Sequence, residues 1–247
     1  MPDLTLTHWL LAVVAALCIG LSKAGIGGVG MVAILVMAQI LPARASTGVI
    51  LPMLIVADIF AVSAFRQFTV WSHLVRMLPP ALLGIVTGFF LMPRIPDQNF
   101  GPLIGWISLS LLALMVLQKL TRRMAASAVE HPGLAWPLGW LAGVTTLLAN
   151  AAGPVMTIYL LVARLPKYEF VGTAAWFFFF VNLAKIPFSV ALGLIKPPSL
   201  AFNALLLPAI IAGILLGRWL LGKINQRVFE WLMIAFSFLG ALRLILA

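Results

Sequence analysis

The first hydrophobic run of this chain, from Leu4 to Ile40, is too long to be a single membrane helix. Its roughly 37 residues would form a helix of about 55 Å at ~1.5 Å per residue, whereas the hydrocarbon core of a bilayer is ~30 Å thick. Five glycines and a lysine fall between Gly20 and Gly30, inside this run. The sequence therefore predicts that the helix breaks at the glycines.

Glycine-rich, non-helical backbone at membrane depth is tolerated only where protein buries it or where it lines a polar cavity. A helix that restarts there directs unpaired N–H groups into the cavity, and such helix ends bind anions. The alternative is that the small residues only allow neighbouring helices to pack closely. On the first interpretation, the residues of this break assigned to an anion site are Ser22, Lys23, Gly25, Gly27, Gly28 and Gly30.

The composition predicts an all-α polytopic membrane protein. The 247 residues are 63% hydrophobic and 9% charged, and apolar runs of about 20 residues recur along the chain. The net charge of +10 does not indicate nucleic-acid binding, because the basic residues lie between apolar runs and form no patch interleaved with aromatic residues. Cys18 is the only cysteine, and no cluster of cysteines and histidines indicates a metal, so no cofactor is predicted.

The order of the apolar segments indicates two similar halves. The ten segments cover approximately residues 4–21, 29–41, 46–65, 71–92, 100–118, 134–149, 154–164, 168–194, 198–221 and 227–246. A shift of 124 residues aligns Asp58 with Asn182, and a shift of 129 aligns Gly84 with Gly213. The predicted parts are an N-terminal transmembrane repeat at 1–118, a basic cytoplasmic linker at 119–132 and a C-terminal transmembrane repeat at 133–247.

The basic residues of the loops favour inverted halves. If each broken segment enters and leaves on the same face of the membrane, ten basic loop residues lie on the side of the linker and four lie outside. If each broken segment instead crosses the membrane once, seven basic loop residues lie on each side. Cytoplasmic loops carry the excess of Lys and Arg, so the first arrangement is favoured. Each inverted repeat is then predicted to contain a broken or re-entrant helical hairpin and three transmembrane helices, with the two breaks meeting near the midplane.

Polar side chains inside the apolar segments are candidates for function. They are Lys23, Asp58, Asn182 and Lys185. Ionisable groups in hydrocarbon are costly, so each is expected to face a cavity or a partner. Asp58 is either a proton-coupling carboxylate or one member of a buried ion pair with Lys23 or Lys185. Asn182 and Lys185 share one helical face and are assigned to substrate binding.

A second break is predicted at Asn150-Ala151-Ala152-Gly153-Pro154. Proline fits the first turn of a restarting helix, and an asparagine just before that turn is a typical N-cap. Asn150 is therefore interpreted as an N-cap, as a ligand contact, or as both. The residues of this break assigned to the substrate site are Asn150, Ala151, Ala152 and Gly153.

The chain resembles the TauE/SafE sulfite exporter family over essentially its whole length. The resemblance lies in the glycine-rich break after an N-terminal hydrophobic helix, in Leu41-Pro42 followed by Ala45-Ser46-Thr47-Gly48, and in a weaker echo from Gly143 to Thr173. It implies secondary transport of a small sulfur-containing oxyanion, such as sulfite, a sulfonate or thiosulfate, across the bacterial cytoplasmic membrane. The second break departs from the pattern, because it has a single glycine.

These observations predict a secondary transporter and not an enzyme. Its expected partners are a small inorganic or organic sulfur anion and the lipid bilayer, with alternating access around a site formed by both breaks. The alternatives are an uncoupled anion channel and, less favoured, a membrane-embedded enzyme or accessory subunit. The oligomeric state is not predicted.

The charge distribution generates a test of topology. In a variant without Cys18, single cysteines placed beside Arg44 and Lys196 should react with an impermeant thiol reagent added outside cells, because these loops are predicted to lie outside. Cysteines beside Arg123 and Lys167 should be protected until the cells are opened. Labelling beside Lys167 in intact cells would contradict inverted halves.

Overall fold

A computed structural model describes residues 5–25, 29–96 and 132–223, together with single residues between 98 and 113 and between 225 and 246. The continuous ranges form α-helices, joined by turns and short 3₁₀ segments. The helices are α1 (Leu6–Lys23), α2 (Val29–Ile40), α3 (Ala43–Phe65), α4 (Trp71–Leu91), α5 (Ala135–Ala149), α6 (Ala152–Val162), α7 (Lys167–Ala191) and α8 (Pro197–Lys223). The described residues contain no β-strand.

The first hydrophobic run is broken at the glycines, as predicted. Helix α1 ends at Lys23 and α2 begins at Val29. Gly25 has φ +115°, a backbone conformation that side chains with a Cβ rarely adopt, so a glycine is required there. Gly27 and Gly28, which the sequence assigned to the anion site, lie outside the described residues.

Helix length separates membrane-spanning segments from short ones. Among the described helices, five are long and apolar enough to cross a membrane, namely α1, α3, α4, α7 and α8. Helices α2 and α6 have 12 and 11 residues, which correspond to about 18 and 16 Å, so neither can span the ~30 Å hydrocarbon core. The protein is therefore an all-helical, multi-pass membrane protein.

Each short helix doubles back on the helix before it. A Cβ placed on Gly30 in α2 would lie 2.6 Å from Oγ of Ser22 in α1, so the two helices touch directly beside the break. In the second hairpin, the Tyr159 hydroxyl of α6 lies 2.9 Å from His73 Nδ1 in the first turn of α4. The first half of α4 also packs against Gly139, near the start of α5. Helix α6 therefore returns toward the end where α5 begins.

Two glycine-mediated crossings hold the helices together. Gly84 of α4 faces Gly143 of α5, where an added Cβ would lie 2.9 Å from the facing Cα. Gly213 of α8 faces Gly20 of α1, where a Cβ on Gly213 would lie 3.1 Å from the facing Cα. Small residues let helices approach closely in lipid, where no hydrophobic force draws them together. Both crossings join a helix that precedes residue 119 to one that follows residue 132.

Helices α3 and α7 run antiparallel at the centre of the protein. Gly48 contacts Leu194, Asp58 contacts Asn182, and Phe65 contacts Gly172. Among the described residues outside the cavity, six basic side chains cluster at the end where α3 finishes and α7 begins, and three lie at the other end. The first group is Arg66, Arg76, Arg164, Lys167, Arg218 and Lys223, and the second is Arg44, Arg94 and Lys196.

The crossings predict where a single methyl group is damaging. Gly84→Ala and Gly213→Ala should each destabilise the protein by about 1–3 kcal/mol, because the new Cβ meets backbone atoms that cannot move aside. Gly222→Ala is the matched control, since its Cβ would have only the Tyr168 hydroxyl as a neighbour, at 3.9 Å. Thermal unfolding of the purified protein in detergent measures the difference. Equal unfolding temperatures for all three variants would contradict the crossings.

Candidate functional site

Helix α3 offers backbone acceptors to the second half of the chain beside Pro52. Proline has no N–H to donate to the carbonyl four residues earlier, so the helix is opened at this point. The neighbouring carbonyls of Thr47 and Val49 accept hydrogen bonds, each 3.0 Å long, from Nδ2 of Asn150 and Nδ2 of Asn203. These bonds attach the second break and α8 to α3.

Asn150 is a C-cap of α5, so the prediction that it caps the following helix is wrong. It adopts a left-handed conformation with φ +54°, and its N–H donates to the carbonyl of Thr146. Its side chain bonds to Thr47 and to Lys185, and it makes no capping hydrogen bond to α6. Ala151 precedes α6 instead, without a side-chain hydrogen bond. Asparagine tolerates this left-handed geometry, which explains the residue type.

A buried ion pair joins α1 to α3. The Nζ of Lys23 lies 2.7 Å from Oδ1 of Asp58, and the Asp58 side chain is completely buried. That oxygen accepts no well-aligned hydrogen bond, so the contact is electrostatic in character. The other carboxylate oxygen accepts a 2.6 Å hydrogen bond from Nδ2 of Asn182. The ion-pair alternative raised by the sequence is therefore realised with Lys23.

Lys185 is surrounded by neutral acceptors. Its ammonium group donates to Asn182 Oδ1 at 3.0 Å, to Asn150 Oδ1 at 2.5 Å and to Thr146 Oγ1 at 3.1 Å. An ammonium group has three donors, so these three bonds use all of them. Lys185 is 2% exposed and makes no ion pair with a carboxylate among the described residues.

With both lysines protonated and Asp58 ionised, the network has one surplus positive charge. It contains two ammonium groups, of Lys23 and Lys185, and one carboxylate, of Asp58. Buried charges are screened much less than exposed ones, so a surplus charge attracts an anion strongly here. The first turn of α6 adds the positive end of a helix dipole at Gly153.

A partly open cavity of about 70 Å³ lies beside this network. About 10–15 Å³ of such space holds one water molecule, so the cavity accommodates several waters or one small ion. The predicted residues that line it are Ser22, Lys23, Gly25, Gly30, Asn150, Gly153 and Asn182. Asp58 and Lys185 lie behind this wall, bonded to residues that form it, and Ala151 and Ala152 do not border the cavity.

Several lining residues were missed by the sequence interpretation. Thr146 and Thr157 add hydroxyl groups, and Phe178 places its ring 4.3 Å from the Lys23 ammonium. A signal for Thr146 existed, because Thr145-Thr146 precedes the second break much as Ser22-Lys23 precedes the first. The remaining lining residues are apolar and resemble ordinary membrane-helix residues.

The two breaks reach the cavity from opposite ends. Gly25 lies against Val171 in the second turn of α7, whereas Asn150 binds Thr47 in the second turn of α3. Val171 lies eleven residues before Asn182 along α7, and Thr47 lies eleven residues before Asp58 along α3. Each separation corresponds to about 16 Å of helix. Because α3 and α7 are antiparallel, the two contacts lie on opposite sides of the Asp58–Asn182 pair. Residues of both breaks therefore line one cavity, and the expectation that the breaks meet near the midplane stays a prediction.

The ion pair predicts a compensating pair of substitutions. Lys23→Met should destabilise the protein by about 3–5 kcal/mol, because it leaves the buried Asp58 carboxylate without its cation. Adding Asp58→Asn should recover a large part of that loss, since no carboxylate remains. Unfolding of the single and double variants in detergent measures the coupling between the two sites. A double variant as unstable as Lys23→Met alone would contradict the ion pair.

The comparison with known proteins agrees with this architecture. A family model described as sulfite exporter TauE/SafE matches residues 12–244. No curated protein and no solved structure matches the chain. The matched region includes the breaks, the buried network, most of α1 and the whole of α3, α4, α7 and α8. The chain thus belongs to the TauE/SafE sulfite exporter family.

Proposed function

We propose that this protein is a secondary transporter that moves a small sulfur oxyanion, of the sulfite, sulfonate or thiosulfate type, across the bacterial cytoplasmic membrane. The observation that carries the proposal is the cavity beside the buried side chains of two lysines and one aspartate. An anion entering this cavity would neutralise the surplus charge. Membership of a sulfite exporter family favours a sulfur oxyanion over other anions.

The anion would contact the first break through Lys23. This ammonium group has three donors, lines the cavity, and has Asp58 as its single anionic partner among the described residues. Charge-assisted hydrogen bonds to an oxyanion are roughly twice as strong as neutral ones. Ser22, Gly25 and Gly30 complete this side, and Gly27 and Gly28 are assigned to it on sequence alone.

The second break would supply neutral donors and a helix end. The N–H of Gly153 belongs to the first turn of α6, where no earlier carbonyl within the helix can accept from it. Asn150 and Asn182 present amide groups to the same cavity. Lys185 acts from behind this layer, since its three donors are already used. Ala151 and Ala152 would act through the backbone of the turn.

Inverted repeats at 1–118 and 133–247, joined by a cytoplasmic linker at 119–132, account for the paired contacts. Gly84 and Gly213 are 129 residues apart, and their partners Gly143 and Gly20 are 123 residues apart, so both crossings use corresponding positions. Inverted repeats that rock against each other give alternating access around a fixed site. The six basic residues at one end, against three at the other, support placing that end in the cytoplasm.

Asp58 would couple transport to protons by competing with the substrate. Its carboxylate occupies the position of an anion next to Lys23. A proton arriving at Asp58 would remove that negative charge and release Lys23 to the transported oxyanion. Substrate and proton would then favour each other's binding, which is the requirement for coupled movement.

Transport by the purified protein in liposomes tests the proposal. Radiolabelled sulfite should accumulate in liposomes under an imposed pH gradient, and unlabelled sulfite or a sulfonate should compete. Uptake that follows the sulfite gradient alone, without response to pH, would favour an uncoupled channel. No uptake of either class of anion would favour an accessory or enzymatic role instead.

The same assay isolates the role of the carboxylate. Asp58→Asn should lose most of the accumulation driven by the pH gradient, roughly 10-fold or more, because the amide cannot take up and release a proton. Glu169→Gln, a carboxylate change at the start of α7 and outside the cavity, is the control and should transport normally. If Asp58→Asn retained full pH-driven accumulation, Asp58 would have only a structural role.

A further inference from the structure

The hydroxyl group of Thr146 differs from every other partner of Lys185. Thr146 lies in the last turn of α5, is 2% exposed, and borders the cavity. Its oxygen must accept the hydrogen bond from Lys185, because an ammonium group can only donate. The hydroxyl proton of Thr146 is therefore not used in that bond.

The Thr146 hydroxyl donates no hydrogen bond to a described residue. The adjacent Thr145 shows the usual arrangement for comparison, because its hydroxyl donates to the carbonyls of Leu141 and Ala142 in its own helix. Thr145 does not border the cavity. Two neighbouring threonines in one helix thus have different roles, and only the proton of Thr146 is available to a molecule in the cavity.

The position of Thr146 also corresponds to that of Lys23. At the two glycine crossings, Gly20 corresponds to Gly143, with a separation of 123 residues. The same separation takes Lys23 to Thr146. The cavity therefore has a cationic donor on the first hairpin and a hydroxyl donor at the matching place on the second.

Resting on the proposed transport of a sulfur oxyanion, we infer that Thr146 is a substrate-contacting and specificity-determining residue that donates its hydroxyl proton to an oxygen of the anion. Lys185 is a positioning residue, which acts through Thr146. Its ammonium group donates a hydrogen bond to the hydroxyl oxygen, so the O–H bond of Thr146 points away from Lys185. The same hydrogen bond makes the Thr146 hydroxyl a stronger donor. The anion is thus held between Lys23 and Thr146, from opposite hairpins.

Binding of sulfite and of methanesulfonate to the purified full-length protein, measured by calorimetry, tests this inference. Thr146→Val keeps the shape of the side chain but removes the hydroxyl, and should weaken binding of both anions roughly 10-fold to 100-fold, the loss expected for one hydrogen bond to a charged group. Thr146→Ser keeps the hydroxyl and should bind within about threefold of the unmodified protein.

Thr145→Val is the matched control for loss of a threonine hydroxyl in the same turn. It should bind both anions within about threefold of the unmodified protein, since Thr145 does not border the cavity. Unfolding temperatures identify any variant that is not folded, and Thr146→Ala then replaces Thr146→Val, because it removes the hydroxyl without placing a methyl group against Lys185.

The outcomes distinguish the Thr146 contact from the proposed transport of sulfur anions. Weakened binding in Thr146→Val, restored in Thr146→Ser, supports the contact, because a purely structural role would not depend on the hydroxyl in this way. Unchanged binding in Thr146→Val, or an equal loss in Thr145→Val, would overturn it while leaving the transport of sulfur anions intact. If the unmodified protein bound neither anion, the proposed function itself would fail.

Discussion

The burial of two ammonium groups around one carboxylate is the constraint on which the rest of this structure depends. Asp58, Lys23 and Lys185 would each be costly alone in a membrane interior, so every one of them needs partners. Asp58 is shared between Lys23 and Asn182, and Lys185 is satisfied by neutral oxygens. The arrangement needs α1, α3 and α7 in contact, together with the end of α5. A polar network of this kind specifies one packing of helices because few others satisfy it.

The glycine crossings make that contact possible. Helix α1 lies close to α8 at Gly20 and Gly213, and α5 lies close to α4 at Gly84 and Gly143. Each broken hairpin is thereby fixed to a long helix from the other half of the chain. Lys23 and Gly25 beside the first break, and Asn150 in the second, line the cavity next to α3 and α7. Close packing of small residues thus supplies the frame that positions these side chains.

The cavity combines a charged end with an apolar wall. Phe178 lies over the Lys23 ammonium, and the side chains around it are mostly hydrocarbon. Such surroundings screen charge poorly, so the surplus positive charge of the network acts on any anion that enters. On the proposed function, the transported oxyanion must offer Lys23 charge and hydrogen bonding comparable to those of Asp58.

The sequence by itself determined the helical membrane architecture, the first break and the polar side chains that lie inside the apolar helices. Helix length and hydrophobicity are local properties, so the break before Val29 and the short helix after it were predictable from residue order alone. Periodicity likewise placed Asn182 and Lys185 on one helical face. Only the tertiary structure decided which lysine pairs with Asp58, that Asn150 closes α5, and that Thr146 reaches the cavity. Those relations depend on how separate helices cross and in what register, and the spacing of residues within one helix carries no information about where another helix lies.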